Sequence, residues 1–129
     1  MIPRGADAYR KTEAQSRSPM ELVVMLYDGA LRFIGQAQTA SGAGDARVRS
    51  RAVSRAIAIV AELQNTLNVD SGGDVALELD RLYNYLNSRL LDVTMKGDTE
   101  ALGEVQKVLT TLRDGWSQAA TGAKSTVKP

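Results

Sequence analysis

The stretch SPMELVVMLYDGALRFIGQAQTA, residues 18–40, decides the fold of this chain. Ser18 with Glu21 three residues later matches a helix capping box, and Pro19 suits the first helical position. Apolar residues then recur at helical spacing in two adjacent rows. The first row holds Leu22, Leu26, Ala30, Phe33 and Ala37, and the second holds Val23, Tyr27, Ala30 and Ile34. The stretch therefore predicts a long amphipathic helix with a wide apolar face, ending at the glycines of residues 41–44.

Three more segments of the same kind follow, separated by glycines at positions 42, 44, 72, 73 and 97. Asp45 is a good cap for the second segment. Apolar residues in all three recur in steps of three and four, and none shows the alternation of a strand. The connections are short, which favours antiparallel neighbours. The sequence predicts an all-α fold, an antiparallel up-down four-helix bundle with a short N-terminal helical segment.

The predicted domain organisation has three parts. An N-terminal arm covers residues 1–17, the four-helix bundle covers residues 18–120, and a flexible polar tail covers residues 121–129. At 129 residues the chain is long enough for one domain with one core.

The composition excludes most catalytic chemistry. The chain has no Cys and no His, which removes thiolate nucleophiles, Cys- or His-ligated zinc and the commonest general base. We predict a protein that is not an enzyme and that holds no cofactor and no metal. An enzyme based on carboxylates is an alternative, which predicts a deep polar pocket with converging acids.

The sequence also predicts where the protein is located and whether it binds nucleic acid. The N-terminus has no apolar signal region, and no apolar run is long enough to cross a bilayer. We therefore predict a cytoplasmic protein without direct membrane insertion. The net charge of +1 is too low for a dedicated nucleic-acid binder, so no nucleic-acid partner is expected.

One basic feature supports an alternative function. Arg47, Arg51 and Arg55 recur every fourth residue of the second predicted helix. They form a stripe that is typical of a solvated helix face. The alternative is a small helical module that binds RNA or an acidic partner through this stripe.

The apolar faces of the first three predicted helices are wider than a bundle core requires. The second helix adds Val53, Ile57 and Val60 beside its main row, and the third adds Tyr83, Leu91 and Met95. The excess either covers a large core or forms a groove for an amphipathic segment of a partner.

The sequence that contains these faces resembles the FliS family of flagellin-specific export chaperones. The resemblance runs from about residue 8 to residue 116 and keeps the order of the family's motifs. These motifs are Ala8-Tyr9, Ser18-Pro19, the block MLYDGA at 25–30, AIAIVAEL at 56–63, Gly72-Gly73, LYNY at 82–85, Arg89-Leu90, Asp98, Leu102, Glu104-Val105 and Trp116.

The resemblance implies a non-enzymatic cytoplasmic chaperone. Its implied partner is the disordered C-terminal segment of flagellin, which would be kept from polymerising early and delivered to the flagellar export apparatus. An export-gate component is implied as a second partner. The segment around Tyr9 is implied to cover the binding surface or to dock at the gate.

From the wide faces and the resemblance we predict the partner-binding residues and the core. The partner-binding residues, as groove or groove-supporting side chains, are Tyr9, Met25, Ile57, Val60, Leu63, Tyr83, Leu86 and Leu90. The predicted core residues are Leu22, Leu26, Phe33, Ile59, Leu82, Leu109, Leu112 and Trp116.

Overall fold

The computed structural model describes the backbone of residues 18–126, and the side chains of that range except at 69–71 and 122–126. This part of the chain contains four helices and no strand. They are α1 (Pro19–Gly42), α2 (Ala46–Asn65), α3 (Val69–Lys96) and α4 (Glu100–Thr126). Helix α1 packs against α2 and α4, and α3 packs against the same two helices. The predicted all-α four-helix bundle is confirmed.

The first two helices begin where the sequence predicts, because their caps are local. The Ser18 hydroxyl accepts a hydrogen bond from the Glu21 amide at 3.1 Å. The Glu21 carboxylate in turn accepts from the Ser18 amide at 3.3 Å. The Asp45 carboxylate accepts from the Val48 amide at 3.1 Å. These contacts satisfy amides that have no partner within the helix.

The third connection differs from the prediction. We expected a break over residues 68–73, but α2 ends at Asn65 and α3 begins at Val69. The interruption lies inside α3, at Gly73, whose φ of 58° and ψ of −136° are not helical. Glycine adopts such a backbone without a steric penalty. Gly73 therefore breaks the helical run at the last residue of the predicted break, and helical backbone resumes after it.

The other predicted boundaries concern the two ends of the chain. Helix α4 continues to Thr126, six residues beyond Ala120, where we expected the tail to begin. The arm of residues 1–17 lies outside the described residues. The division into arm, bundle and tail therefore stays a prediction.

The core lies between the inner faces of all four helices. Its fully buried large side chains are Tyr27, Ile34, Val53, Val60, Leu63, Tyr83, Leu86, Leu90, Val93, Leu102, Val105 and Leu109. Small residues allow close packing: a Cβ on Gly29 would lie 3.2 Å from the Ile59 side chain. Helices α1 and α2 therefore approach closely at this point.

Most of our predicted core residues are in fact at its edge. Of the eight, only Leu109 is fully buried. The half-buried ones that pack against the core are Leu26, Phe33, Ile59, Leu82, Leu112 and Trp116, and Leu22 is also only partly buried. On the first three helices the prediction was wrong because each of them offers two adjacent apolar rows. The neighbouring helices cover the row that we did not choose.

Ion pairs hold α4 against its neighbours. The Arg89 guanidinium of α3 pairs with Glu104 of α4 at 2.6 Å, and with Asp92 and Asp98 at 2.9 and 3.1 Å. The hydrogen bond from Arg89 lowers the pKa of the Glu104 carboxyl. Bonds to several carboxylates hold an arginine in one orientation. They therefore set how the end of α3 meets the start of α4.

Candidate functional site

An apolar groove opens at one end of the bundle. It has a volume of about 230 Å³, and we call it the end groove. Its lining comes from α1, α3, α4 and the connection between α2 and α3, and comprises Val23, Thr66, Leu67, Asn68, Gly72, Val75, Ala76, Leu79, Tyr83 and Trp116. Most of these side chains are apolar. An open apolar cavity on a protein surface is suited to an apolar group of a partner.

The kink in α3 forms one wall of the end groove. Gly73 interrupts the helix two residues before Val75 and three residues before Ala76. Val75 is 70% exposed, whereas Ala76 is buried. A valine this exposed on a helix has no partner within the bundle to cover it. It therefore offers apolar area to a second molecule.

The floor of the end groove rests on a buried pair of tyrosines. The hydroxyls of Tyr27 and Tyr83 lie 2.5 Å apart, and either one can donate the hydrogen bond. Burial raises the pKa of the Tyr27 phenol, while hydrogen bonds with Tyr83 and Trp116 act in the opposite direction. Burial also raises the pKa of Tyr83. Both phenols therefore stay neutral at physiological pH, and the pair joins α1 to α3.

We expect Tyr83→Phe to lower the free energy of unfolding by about 1–3 kcal/mol, because it removes a hydrogen-bond partner of the buried Tyr27 hydroxyl. Denaturation in urea, followed by circular dichroism, measures this change. Tyr85→Phe is the matched control, since the exposed Tyr85 hydroxyl bonds Glu104 at 2.9 Å in contact with solvent. An equal loss in both variants would contradict a special role for the buried pair.

Further apolar side chains are exposed along α3. Leu77, Leu91 and Met95 are 41%, 50% and 78% exposed. Their separations of 14 and 4 residues place them on one side of the helix. Polar residues lie between them, including Arg81, so the apolar surface is interrupted. The expected excess of apolar surface is therefore present, and much of it is on this helix.

The structure describes seven of the eight predicted site residues and places them in three different environments. Tyr9 lies outside the described residues. Met25 is 46% exposed. Ile57 is partly buried, and its carbonyl accepts a hydrogen bond of 3.4 Å from the Asn87 amide group. The other five lie together in the core, almost without exposed area: Val60, Leu63, Tyr83, Leu86 and Leu90.

Of the seven that the structure describes, only Tyr83 lines the end groove. The other four core residues lie in the same buried cluster as Tyr83, and they offer no surface to a partner in this conformation. Met25 lines a separate pocket of about 270 Å³ between α1 and α4. The partner-binding role of all eight stays a prediction.

The sequence reasoning missed most of the groove lining. Val23, Leu67, Val75 and Leu79 were not among the predicted site residues, and Trp116 was assigned to the core. The available signal was the position of Val75 two residues after the paired glycines 72 and 73. Apolar residues beside such a break are not covered by a regular helix packing against them.

Neither a cluster of metal ligands nor a membrane-spanning helix occurs in the part of the chain that the structure describes. Among the described side chains, no three Cys, His, Asp or Glu residues converge in a way that would hold a metal ion. Within residues 18–126 no helix combines the length and the apolar character required to span a bilayer.

Fold and groove together define a class: small helical bundles with an open apolar groove at one end. Within this class the chain matches the family model described as flagellar protein FliS over residues 3–123. The chain belongs to the FliS family, and the resemblance seen in the sequence is confirmed.

Individual relatives agree with the family model. The flagellar secretion chaperone FliS of Salmonella typhimurium is 32% identical over 124 residues, covering 92% of each chain. The relative of the same name from Bacillus subtilis is 34% identical over 112 residues, covering 87% of this chain and 83% of its own. That from Campylobacter jejuni is 35% identical over 112 residues, covering 87% and 88%.

Proposed function

We propose that this protein is a cytoplasmic flagellar export chaperone that works without catalysis and without a cofactor. It binds the disordered C-terminal segment of flagellin, prevents its premature polymerisation and delivers it to the export apparatus. Membership of the FliS family supports the export chaperone role. The end groove is the observation that carries the binding step.

The binding step follows from the apolar character of the end groove. A disordered segment that orders on binding loses about 2–5 kcal/mol of the interaction free energy. Burial of apolar surface offsets this loss at about 25 cal/mol per Å². The end groove accepts an apolar side chain of the segment.

The buried tyrosine pair keeps the end groove in shape before a partner arrives. Tyr83 contributes to its floor, and its hydroxyl is held by Tyr27 of another helix. A groove that is already formed adds no ordering cost of its own to binding. We therefore assign the predicted residues Val60, Leu63, Leu86 and Leu90 a supporting role, without direct contact to the partner.

The arm of residues 1–17 is proposed to act beside the same groove. Helix α1 begins directly after Ser18, and Val23, five residues later, lines the end groove. At 1.5 Å per residue this is a distance of about 7.5 Å along the helix. The arm therefore joins the bundle close to the groove. Tyr9 is proposed to shield the groove when it is empty, or to dock at a component of the export gate.

Isothermal titration calorimetry with a synthetic C-terminal flagellin peptide tests this function on the full chain. We expect saturable binding with a negative heat-capacity change, because apolar surface is buried. We also expect little change in affinity between low and high salt, because the contact is apolar.

A peptide of the same length with its apolar residues replaced by serine is the control, and it should not bind. The proposal is wrong if both peptides bind equally well. A steep loss of affinity in salt would also count against it, because this is the behaviour of a charge-driven contact.

A further inference from the structure

Four exposed arginines share one side of the bundle, and the proposed chaperone function does not use them. Arg47, Arg51 and Arg55 lie on α2, and Arg32 lies on α1. We call these four residues the basic face. Among the side chains that the structure describes, no carboxylate forms an ion pair with any of them. By contrast, Arg89 and three other basic residues of α3 and α4 pair with acids.

The chain concentrates positive charge at this face. Residues 29–61 contain five arginines and one acidic residue, Asp45, although the net charge of the whole chain is only +1. Unpaired charges of one sign on one surface produce a local field that attracts a partner of the opposite sign. The charge of the basic face is therefore available to a partner.

The basic face borders a continuous trough between α1 and α2. One part has a volume of about 700 Å³, and the adjoining part has about 340 Å³. Gln36 and Val48 line both parts. The lining of the trough also includes the small or apolar residues Gly35, Ala40, Ala43, Val48 and Ala52. Its one acidic residue is Asp45, whose carboxylate accepts a hydrogen bond from the Val48 amide at the start of α2. A partner for this surface must supply both negative charge and apolar area.

The Phe33 ring beside the trough is already covered by two arginines. The guanidinium groups of Arg32 and Arg55 lie 5.9 and 5.6 Å from the centre of the Phe33 ring. Recognition of single-stranded RNA relies on aromatic rings on which bases can stack. Because arginines cover Phe33, the basic face lacks such a platform, and its concave shape suits a peptide better than a flat membrane.

The ends of this chain do not fit the basic face. Residues 1–17 carry four basic residues, Arg4, Arg10, Lys11 and Arg17, against Asp7 and Glu13. Residues 122–129 carry Lys124 and Lys128 and no acid. Like charges repel, so neither end is a suitable occupant, and a separate molecule is required.

We propose that the basic face binds an acidic amphipathic segment of a partner protein. The carboxylates of the segment, at helical spacing, pair with Arg47, Arg51 and Arg55. An apolar side chain of the segment enters the trough at Val48. None of the residues that line this trough lines the end groove. The two surfaces are therefore separate, and a substitution in one can leave the other unchanged.

The test uses the full chain and a synthetic helical peptide in which Glu pairs at i, i+4 spacing alternate with Leu. We expect saturable binding by calorimetry, weakened about tenfold by Arg51→Glu because an attraction becomes a repulsion. Lys107→Glu is the matched control: it makes the same change of charge at an exposed position of α4, and the affinity should not change. Circular dichroism checks that both variants are folded.

Three results would overturn the proposal. The first is no binding of the acidic peptide, or equal binding of a version with Lys in place of Glu. The second is an equal loss of affinity in both variants, which indicates a non-specific charge effect. The third is tighter, Arg51-dependent binding of polyuridylate or of phosphatidylglycerol vesicles. Binding of the flagellin peptide to Arg51→Glu should remain unchanged, so this proposal and the chaperone function fail separately.

Discussion

Replacing Leu90 with Ala is expected to lower the free energy of unfolding by about 2–5 kcal/mol. Leu90 belongs to α3, and its side chain is fully buried in the core between the helices. The substitution removes buried methyl groups and leaves a cavity that the rigid bundle fills only partly. Urea denaturation followed by circular dichroism, with the slope and midpoint both fitted, measures the loss.

The next residue in the chain provides the control. Leu91 is 50% exposed, so Leu91→Ala should change the stability by no more than about 0.5 kcal/mol. The two variants remove the same atoms from adjacent positions of one helix. Equal effects, or a larger loss for Leu91→Ala, would show that α3 turns a different row of side chains toward the core.

Replacing Val75 with Asp is expected to weaken binding of the flagellin peptide at least tenfold. Val75 is 70% exposed and lines the end groove, so the substitution should leave the bundle folded. In the complex it would place a carboxylate against an apolar side chain, and the desolvation of that charge opposes binding. A tenfold loss corresponds to about 1.4 kcal/mol. Calorimetry under the conditions used for the unsubstituted chain measures it.

Val48→Asp is the matched control for this experiment. Val48 is 42% exposed and belongs to the trough beside the basic face, away from the end groove. The same chemical change at this position should leave the affinity for the flagellin peptide within about twofold, a difference far below the 1.4 kcal/mol of a tenfold effect. Unchanged binding by a folded Val75→Asp variant would remove the end groove from the binding site.

The helices themselves were predictable because their signals are local. Ser18 and Glu21 cap each other within one turn, and Asp45 caps the next helix in the same way. Apolar spacing of three and four residues is also a property of a single helix. Gly73 shows the limit of such signals: two glycines predicted an end, but the helix continues through a kink.

The inner side of each helix was not predictable in the same way. On α3 we placed Leu82 in the core and Leu86 in the groove, and the structure has Leu82 half-buried and Leu86 fully buried. On α2 we placed Ile59 in the core and Val60 among the groove residues, and the structure has Ile59 half-buried and Val60 fully buried. Two adjacent apolar rows have the same spacing, and periodicity alone does not distinguish them.

The end groove was still less accessible to sequence reasoning. Val23, Leu67, Val75 and Trp116 come from four separate parts of the chain and meet only when the bundle has formed. The basic face could be predicted in part, because the stripe from Arg47 to Arg55 is visible in the sequence. Arg32 and the trough beside Phe33 are added by the packing of α1 on α2.

By itself the sequence determined four helices and their first caps, because those depend on contacts between residues near one another in the chain. It also determined the family, because the order of the motifs along the chain can be read without the fold. Only the tertiary structure decided which apolar row is buried and where an apolar groove stays open. The neighbouring helices decide this, because each of them covers one apolar row of the helix that it packs against. The apolar residues that stay exposed lie on sides where no further helix packs.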